Sequence, residues 1–254
     1  MNNSKYWLER AQNVIQSEIQ ADAQATTEIE RIILQMYAEI AKELLAFYAK
    51  YATTAGLTML EVKKNADAFD VKAFRHKAKM YVRRKDFSEE ANRVLKLYNL
   101  TMKISREQLL KQQLDLIVRD TGLNLQSKLE DDLVEAVDRE VERQAHILGE
   151  HVKIDDAEVK AVVNSNFKGV TWSQRLWKDM ALVQKEVEQV TSHVLIRGRH
   201  PNEFVPLFKK KTQSTTYNAS RLLVTESARV QAESQKLTYL KELVKMANIN
   251  MLPK

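Results

Sequence analysis

The chain has no cysteine, only five glycines and only three prolines in 254 residues. Without cysteine, a disulfide framework and a thiolate zinc site are both excluded, and the composition suits a reducing compartment. So little glycine and proline leaves few turn-formers, and with 29 % charged residues the composition favours long helices. Apolar runs are short as well. None approaches the roughly 20 residues a membrane-spanning helix needs, and the opening MNNSKYWLER lacks the apolar core of a signal peptide. A soluble protein with no membrane partner is expected.

The net charge is +6, but it is unevenly spread. Residues 61–111 carry 14 Lys/Arg against 7 Asp/Glu, and residues 130–160 carry 4 against 11, giving local charges of +7 and −7. Two lobes of opposite sign are either solvated helix faces or docking surfaces, one suited to DNA and the other to a protein.

Helical periodicity dominates. Ile29, Ile33, Met36, Ile40, Leu44, Phe47 and Tyr51 recur at steps of three and four and define an apolar stripe, with a stop near Gly56. A separate first helix is expected over about residues 4 to 25. Thr58 with Glu61, Ser105 with Gln108, Ser127 with Glu130, Asp155 with Glu158 and Thr171 with Gln174 have capping-box spacing and mark helix starts. Leu176, Met180, Val183, Val187, Val190 and Val194 form a second stripe. Arg197 continues it, Gly198 ends that helix, and Pro201 lies beyond the stop. A short linking helix over 202–211 ends in Lys209, Lys210 and Lys211, and a last helix follows over about 214–247. No alternating strand pattern, internal repeat or low-complexity tract is present.

The expected fold is therefore all-α, an elongated assembly of long amphipathic helices with little or no sheet. The composition shift across 150–170, with Asn164, Ser165, Asn166 and Gly169 as loop formers, divides the chain into an N-terminal helical region, 1–165, and a C-terminal helical module, 166–254.

The last helix carries an anomaly. Ala219, Leu223, Glu226, Val230, Glu233, Leu237, Leu240, Val244 and Ala247 share one face, so two carboxylates lie on an apolar stripe. A buried carboxylate needs a cation. For Glu226 the candidates are Arg175 or Arg197 of the preceding helix, with Arg175 favoured, or Arg229 at i+3 on the same helix.

No catalytic constellation emerges. The five histidines are dispersed, and His146 and His151 around Glu150 fit a surface helix end better than a metal site. A phosphate-binding GxxxxGK[ST] loop is missing, which excludes nucleotide hydrolysis of that type. Ser214-Thr215-Thr216 and Glu186-Val187-Glu188 look superficially like transferase motifs but sit in helical context. Lys72, Arg75, Lys79 and Arg83 share one helix face opposite Val71, Phe74, Ala78 and Tyr81, and could neutralise phosphates without reading sequence. No DNA-reading motif accompanies them. Together with Lys209, Lys210 and Lys211 they are the candidate nucleic-acid contacts.

One ordered set of residues is more specific. FKGVTWSQRLWKDM carries Trp172, Arg175 and Trp177 just after Gly169. LIRGRHPNEF carries Arg197 and Gly198 one long helix later, and YNASRLLVTESARVQAE carries Arg221, Thr225 and Glu226. This order resembles the minor head (head morphogenesis, Mu F-like) proteins of tailed bacteriophages. The opening SKYWLERAQ and the segment LLAFYAKYATTAGLT are similar to the start of minor capsid proteins from phages of Gram-positive bacteria. The two matches span most of the chain, but about residues 65 to 165 carry no motif of the family.

The resemblance implies a virion protein of the head, near the portal vertex, present in host cytoplasm during assembly. The implied partner is the portal protein, with scaffold or major capsid protein and non-specific DNA as further candidates. It implies head assembly, DNA packaging or DNA ejection by binding rather than catalysis, with no cofactor, metal or small-molecule substrate. A cellular helical adaptor with basic and acidic docking lobes is the alternative, and an enzyme module acting on DNA or nucleotide has little support. Many relatives continue beyond the Thr-Glu helix, so the chain is expected to be either a short member or a truncated form.

Overall fold

The computed structural model describes residues 3–51, 89–149, 152–197 and 199–250. Helix accounts for 92 % of them, with neither strand nor sheet among the described residues, so the fold is all-α. The elements are α1 (Asn3–Tyr51), α2 (Glu89–Leu148), α3 (Asp156–Val163), α4 (Trp172–Arg197), a 3-10 turn (Pro201–Phe204) and α5 (Val205–Asn250).

Several expected helix boundaries do not occur. The separate helices over about 4–25 and from Ile29 are one helix, α1. Nothing in the intervening sequence breaks it, and Thr27 satisfies its hydroxyl on the Ala23 carbonyl one turn back. Ser105 with Gln108 and Ser127 with Glu130 lie inside α2 rather than at helix starts. A capping box needs a non-helical residue at its head, and both serines are helical: even Gly122, five residues before Ser127, stays within α2. The linking helix over 202–211 and the last helix are likewise continuous. The 3-10 turn leads directly into α5, and Pro206 sits in the first turn, where its missing N–H costs nothing.

Other signals are met in detail. Asp155 and Glu158 cap α3 reciprocally, each side chain accepting from the other's backbone N–H, and Thr171 and Gln174 do the same for α4. Helix α2 is closed by Gly149 at φ 78°, a left-handed C-cap. Phe167 and Val170 form an isolated bridge across Lys168 and Gly169, within the stretch read as loop. The stop at Gly56, the box at Thr58, the basic stripe of Lys72, Arg75, Lys79 and Arg83, and Gly198 lie outside the described residues.

The chain packs as two compact units, each drawn from both sides of the sequence division at 165. One gathers Met1–Met36, Arg119–Leu182 and Lys210–Lys254, and the other Tyr37–Val118 and Val183–Lys209. The core of the first includes Ile29, Ile33, Leu125, Leu129, Leu133, Trp172, Leu176, Met180, Leu223 and Val230. In the second, Ile40, Leu44, Leu110, Leu114, Val183, Val187, Val190 and Val194 are buried. Aromatic contacts there join Tyr37 to Phe208 and His193 to Phe204. The α1 stripe is buried from Ile29 to Leu44, and the α4 stripe from Leu176 to Val194.

The α5 stripe holds only to Val230. Beyond it the buried residues are Ser234, Thr238 and Glu242, while Glu233, Leu240 and Val244 are exposed. Successive steps of four turn the buried face by about 40° each on a helix of 3.6 residues per turn. The small polar residues tolerate burial because Ser234 donates to the Val230 carbonyl and Thr238 to the Ser234 carbonyl.

Candidate functional site

Two of the motif residues, Arg175 and Glu226, meet in the first unit. The Glu226 carboxylate is 1 % exposed, and its two oxygens are divided between two arginines: Oε1 accepts from Arg175 Nη1 at 3.1 Å and Oε2 from Arg229 Nε at 2.6 Å. The partner that the sequence favours, Arg175, is in place, and the local pair with Arg229 forms as well. Arg197 is not part of the site; it is exposed and belongs to the second unit.

The two guanidiniums reach further. Arg229, 8 % exposed, donates to the carbonyls of Val162 and Val163, each at 2.9 Å, and to Ser165 Oγ at 2.5 Å. Those carbonyls end α3, where the helix leaves acceptors without intrahelical donors and where positive charge is favoured. Arg175 donates to the Phe167 carbonyl and lies over the Phe167 ring, 5.4 Å from its centre. One buried carboxylate thus holds two cations that together fix the end of α3 and the turn entering α4. Each charged group has a partner, which is the condition for burying such a group without a large penalty.

Around this clasp the tryptophans take different roles. Trp172 is 1 % exposed, and its indole Nε1 has no hydrogen-bond partner. Trp177 donates to Gln126 Oε1 of α2 at 2.6 Å. Its ring lies against Gly122, where a Cβ would come within 2.8 Å of the ring carbons, so only glycine permits this approach. Arg221 and Thr225 are exposed, Thr225 bonding only the Arg221 carbonyl of its own helix. Lys209 and Lys210 are exposed and Lys211 is half-buried.

A second charged hub was not anticipated. Glu18 of α1 accepts from Arg139 and Arg143 of α2 and from Gln231 of α5. Burial alone would raise its pKa, but the hydrogen bonds from Arg139, Arg143 and Gln231 outweigh that and hold the carboxyl below its ordinary value. Asp22, one turn on, is pushed the other way by burial and by the Glu18 charge. A guide existed in the sequence: Arg139 and Arg143 are spaced i, i+4 within an otherwise acidic stretch. Gly122 could not have been found, since its role is set by a ring 55 positions away.

An open groove of about 490 Å³ runs beside the first turns of α1, lined by Tyr6, Arg10, Ser17 and His146 among others. Among the described residues, no group of three or more His, Asp or Glu is placed to hold a metal. No described helix is long and apolar enough to cross a membrane. The arrangement around Glu226 can position and stiffen, since its carboxylate and both guanidiniums are engaged with one another and with backbone. No family model matches the chain, and no curated protein or solved structure is significantly similar to it.

Proposed function

We propose that this chain is a minor head protein of a tailed bacteriophage that docks on the portal and serves head assembly, DNA packaging or DNA ejection by binding rather than catalysis. The observation that carries the reading is the ordered motif from Trp172 to Glu226. Arg175 and Glu226, 51 residues apart, are a single contact, and Trp172 and Trp177 lie on the same helix as Arg175 and in the same unit. Such a cluster serves as the rigid mount of a binding protein, in which preorganised surfaces lower the cost of association. The protein would reside in the virion head near the portal vertex, and in host cytoplasm during assembly.

Co-purification with the ring-shaped portal oligomer of the same phage tests this. A stoichiometric complex is expected, and a chain that passes through unbound at micromolar portal rules the reading out. DNA is a second, non-specific partner in this reading. Reversing Lys72, Arg75, Lys79 and Arg83 to Glu is expected to abolish retention on DNA at low salt. Retention unchanged in that variant moves the contact to Lys209, Lys210 and Lys211.

A further inference from the structure

Helix α2 carries two apolar rows. Leu110, Leu114, Val118 and Leu125 are buried, whereas Leu109, Leu116 and Leu123 stand in solvent at 55, 64 and 58 % exposure. The exposed row advances by seven residues, and in the sequence Met102 and Leu95 continue the same step within α2. Five positions in step span about 42 Å of helix. A single exposed leucine is ordinary on a protein surface. A strict step of seven is different, because a straight helix turns it away by about 20° per heptad. Only a helix that supercoils with another keeps such a row in one seam, so the step selects a helix as the occupant.

The charge along α2 selects which helix. Residues 93–111 carry five Lys/Arg against one Glu, and residues 121–139 carry two Lys/Arg against five Asp/Glu. A second α2 laid antiparallel across Leu116 runs its basic stretch along the acidic stretch of the first, and the reverse holds at the other end. Leu109 of each copy then faces Leu123 of the other. The exposed Gln112 and Gln113 face the exposed Asp120 and Arg119, so amides that both donate and accept meet the two charges. A parallel pair would instead set Arg119 against Arg119 and one acidic stretch against the other, which like charges oppose.

We propose that the Leu109, Leu116 and Leu123 face of α2 is a self-association surface, on which a second copy of this chain docks with its α2 antiparallel. The contact is isologous, so the apolar row and the charges that receive each copy are those it presents itself. One apolar side chain per heptad makes the pairing reversible and weaker than an obligate coiled coil, which uses two. The inference stands independently of portal docking.

Sedimentation equilibrium of the full chain tests it. The parent is expected to pass from monomer to dimer between about 1 and 200 µM. Replacing Leu109, Leu116 and Leu123 together by Gln is expected to raise the dissociation constant about tenfold or more. The melting temperature of the dilute chain is expected to hold, since all three leucines are exposed in the single copy. Leu182→Gln, at an equally exposed leucine of α4, is expected to change neither. The absence of cysteine lets orientation be read by oxidation. Leu116→Cys is expected to link to itself, and Leu109→Cys to link to Leu123→Cys but not to itself. A parent that stays monomeric, or a triple variant that pairs as the parent does, overturns the inference. Leu109→Cys linking to itself overturns the antiparallel pairing. A monomeric parent whose triple variant loses the portal gives this face to that partner and overturns the inference as well.

Discussion

Glu226 and Glu18 are each held by two arginines in the same compact unit, yet one side chain is 1 % exposed and the other 19 %. Glu226 spends its cations on backbone carbonyls at the end of α3 and in the following turn, so its loss would release a segment of chain. Glu18 ties side chains of α1, α2 and α5 together, and its surroundings retain some water. Depth of burial, more than the number of partners, therefore sets what each carboxylate contributes. In the dry site a stranded guanidinium costs several kcal/mol, whereas in the wetter one solvent screens the loss.

The largest expected effect is at Glu226. Glu226→Ala leaves Arg229 buried without its counter-charge and is expected to destabilise the fold by about 3–5 kcal/mol, read as a shift in the urea midpoint. A loss no larger than that of a Glu18 variant would remove the distinction between the two sites. Glu18→Gln keeps the shape and removes the charge, and after discounting for partial exposure the expected loss is about 1–2 kcal/mol at neutral pH.

The Glu18 variant also has a pH signature. The folded pKa of Glu18 is depressed, so its stabilisation is fully present above the ordinary value of 4.5 and is lost as pH falls through the lower folded value. Asp22 has the opposite sign: its raised pKa costs stability once the carboxylate is ionised, and that cost disappears as pH falls. Because the Glu18 charge itself pushes Asp22 up, the difference in stability between parent and Glu18→Gln grows slightly as Asp22 takes its proton, and it is expected to shrink once pH falls below about 4.5 and Glu18 is itself protonated. A difference that fails to shrink there contradicts the assignment.

Two smaller effects sharpen the contrast between charge and shape. Gly122→Ala gains about 1 kcal/mol of helix propensity but drives a methyl into the Trp177 ring, and overpacking of this kind costs about 1–3 kcal/mol. A net loss of about 1 kcal/mol is expected, and Gly122→Ala is expected to cost less in a Trp177→Phe background, where the shorter ring vacates the space although the hydrogen bond to Gln126 is lost too. Asp155→Ala removes the cap of α3 and is expected to cost about 1 kcal/mol or less.

Periodicity made the helices and most of their buried faces readable. The stripes of α1 and α4 required only apolar residues at the right spacing, and burial follows them from Ile29 to Leu44 and from Leu176 to Val194. Helix ends were readable where a polar cap followed a real break, as at Asp155 and Thr171. They were misread at Ser105 and Ser127, where the same local pattern occurs inside an uninterrupted helix. The α5 face was lost after Val230 because its neighbours accept Ser234 and Thr238, a preference set by tertiary packing and not by hydrophobicity. Glu226 stood out as a charge on an apolar stripe, and that anomaly located the clasp. The sharing of its two oxygens between Arg175 and Arg229 depends on how α4 and α5 cross, which spacing along the chain does not encode.

The central claim is that Glu226 is a structural anchor acting through both arginines at once. Double-mutant cycles by urea denaturation, pairing Glu226→Ala with Arg175→Ala and separately with Arg229→Ala, measure this directly. The expected result is a coupling of at least about 1 kcal/mol in each cycle, larger for the more deeply buried Arg229. Additive losses in both cycles, or a Glu226→Ala chain as stable as the parent, would contradict the account.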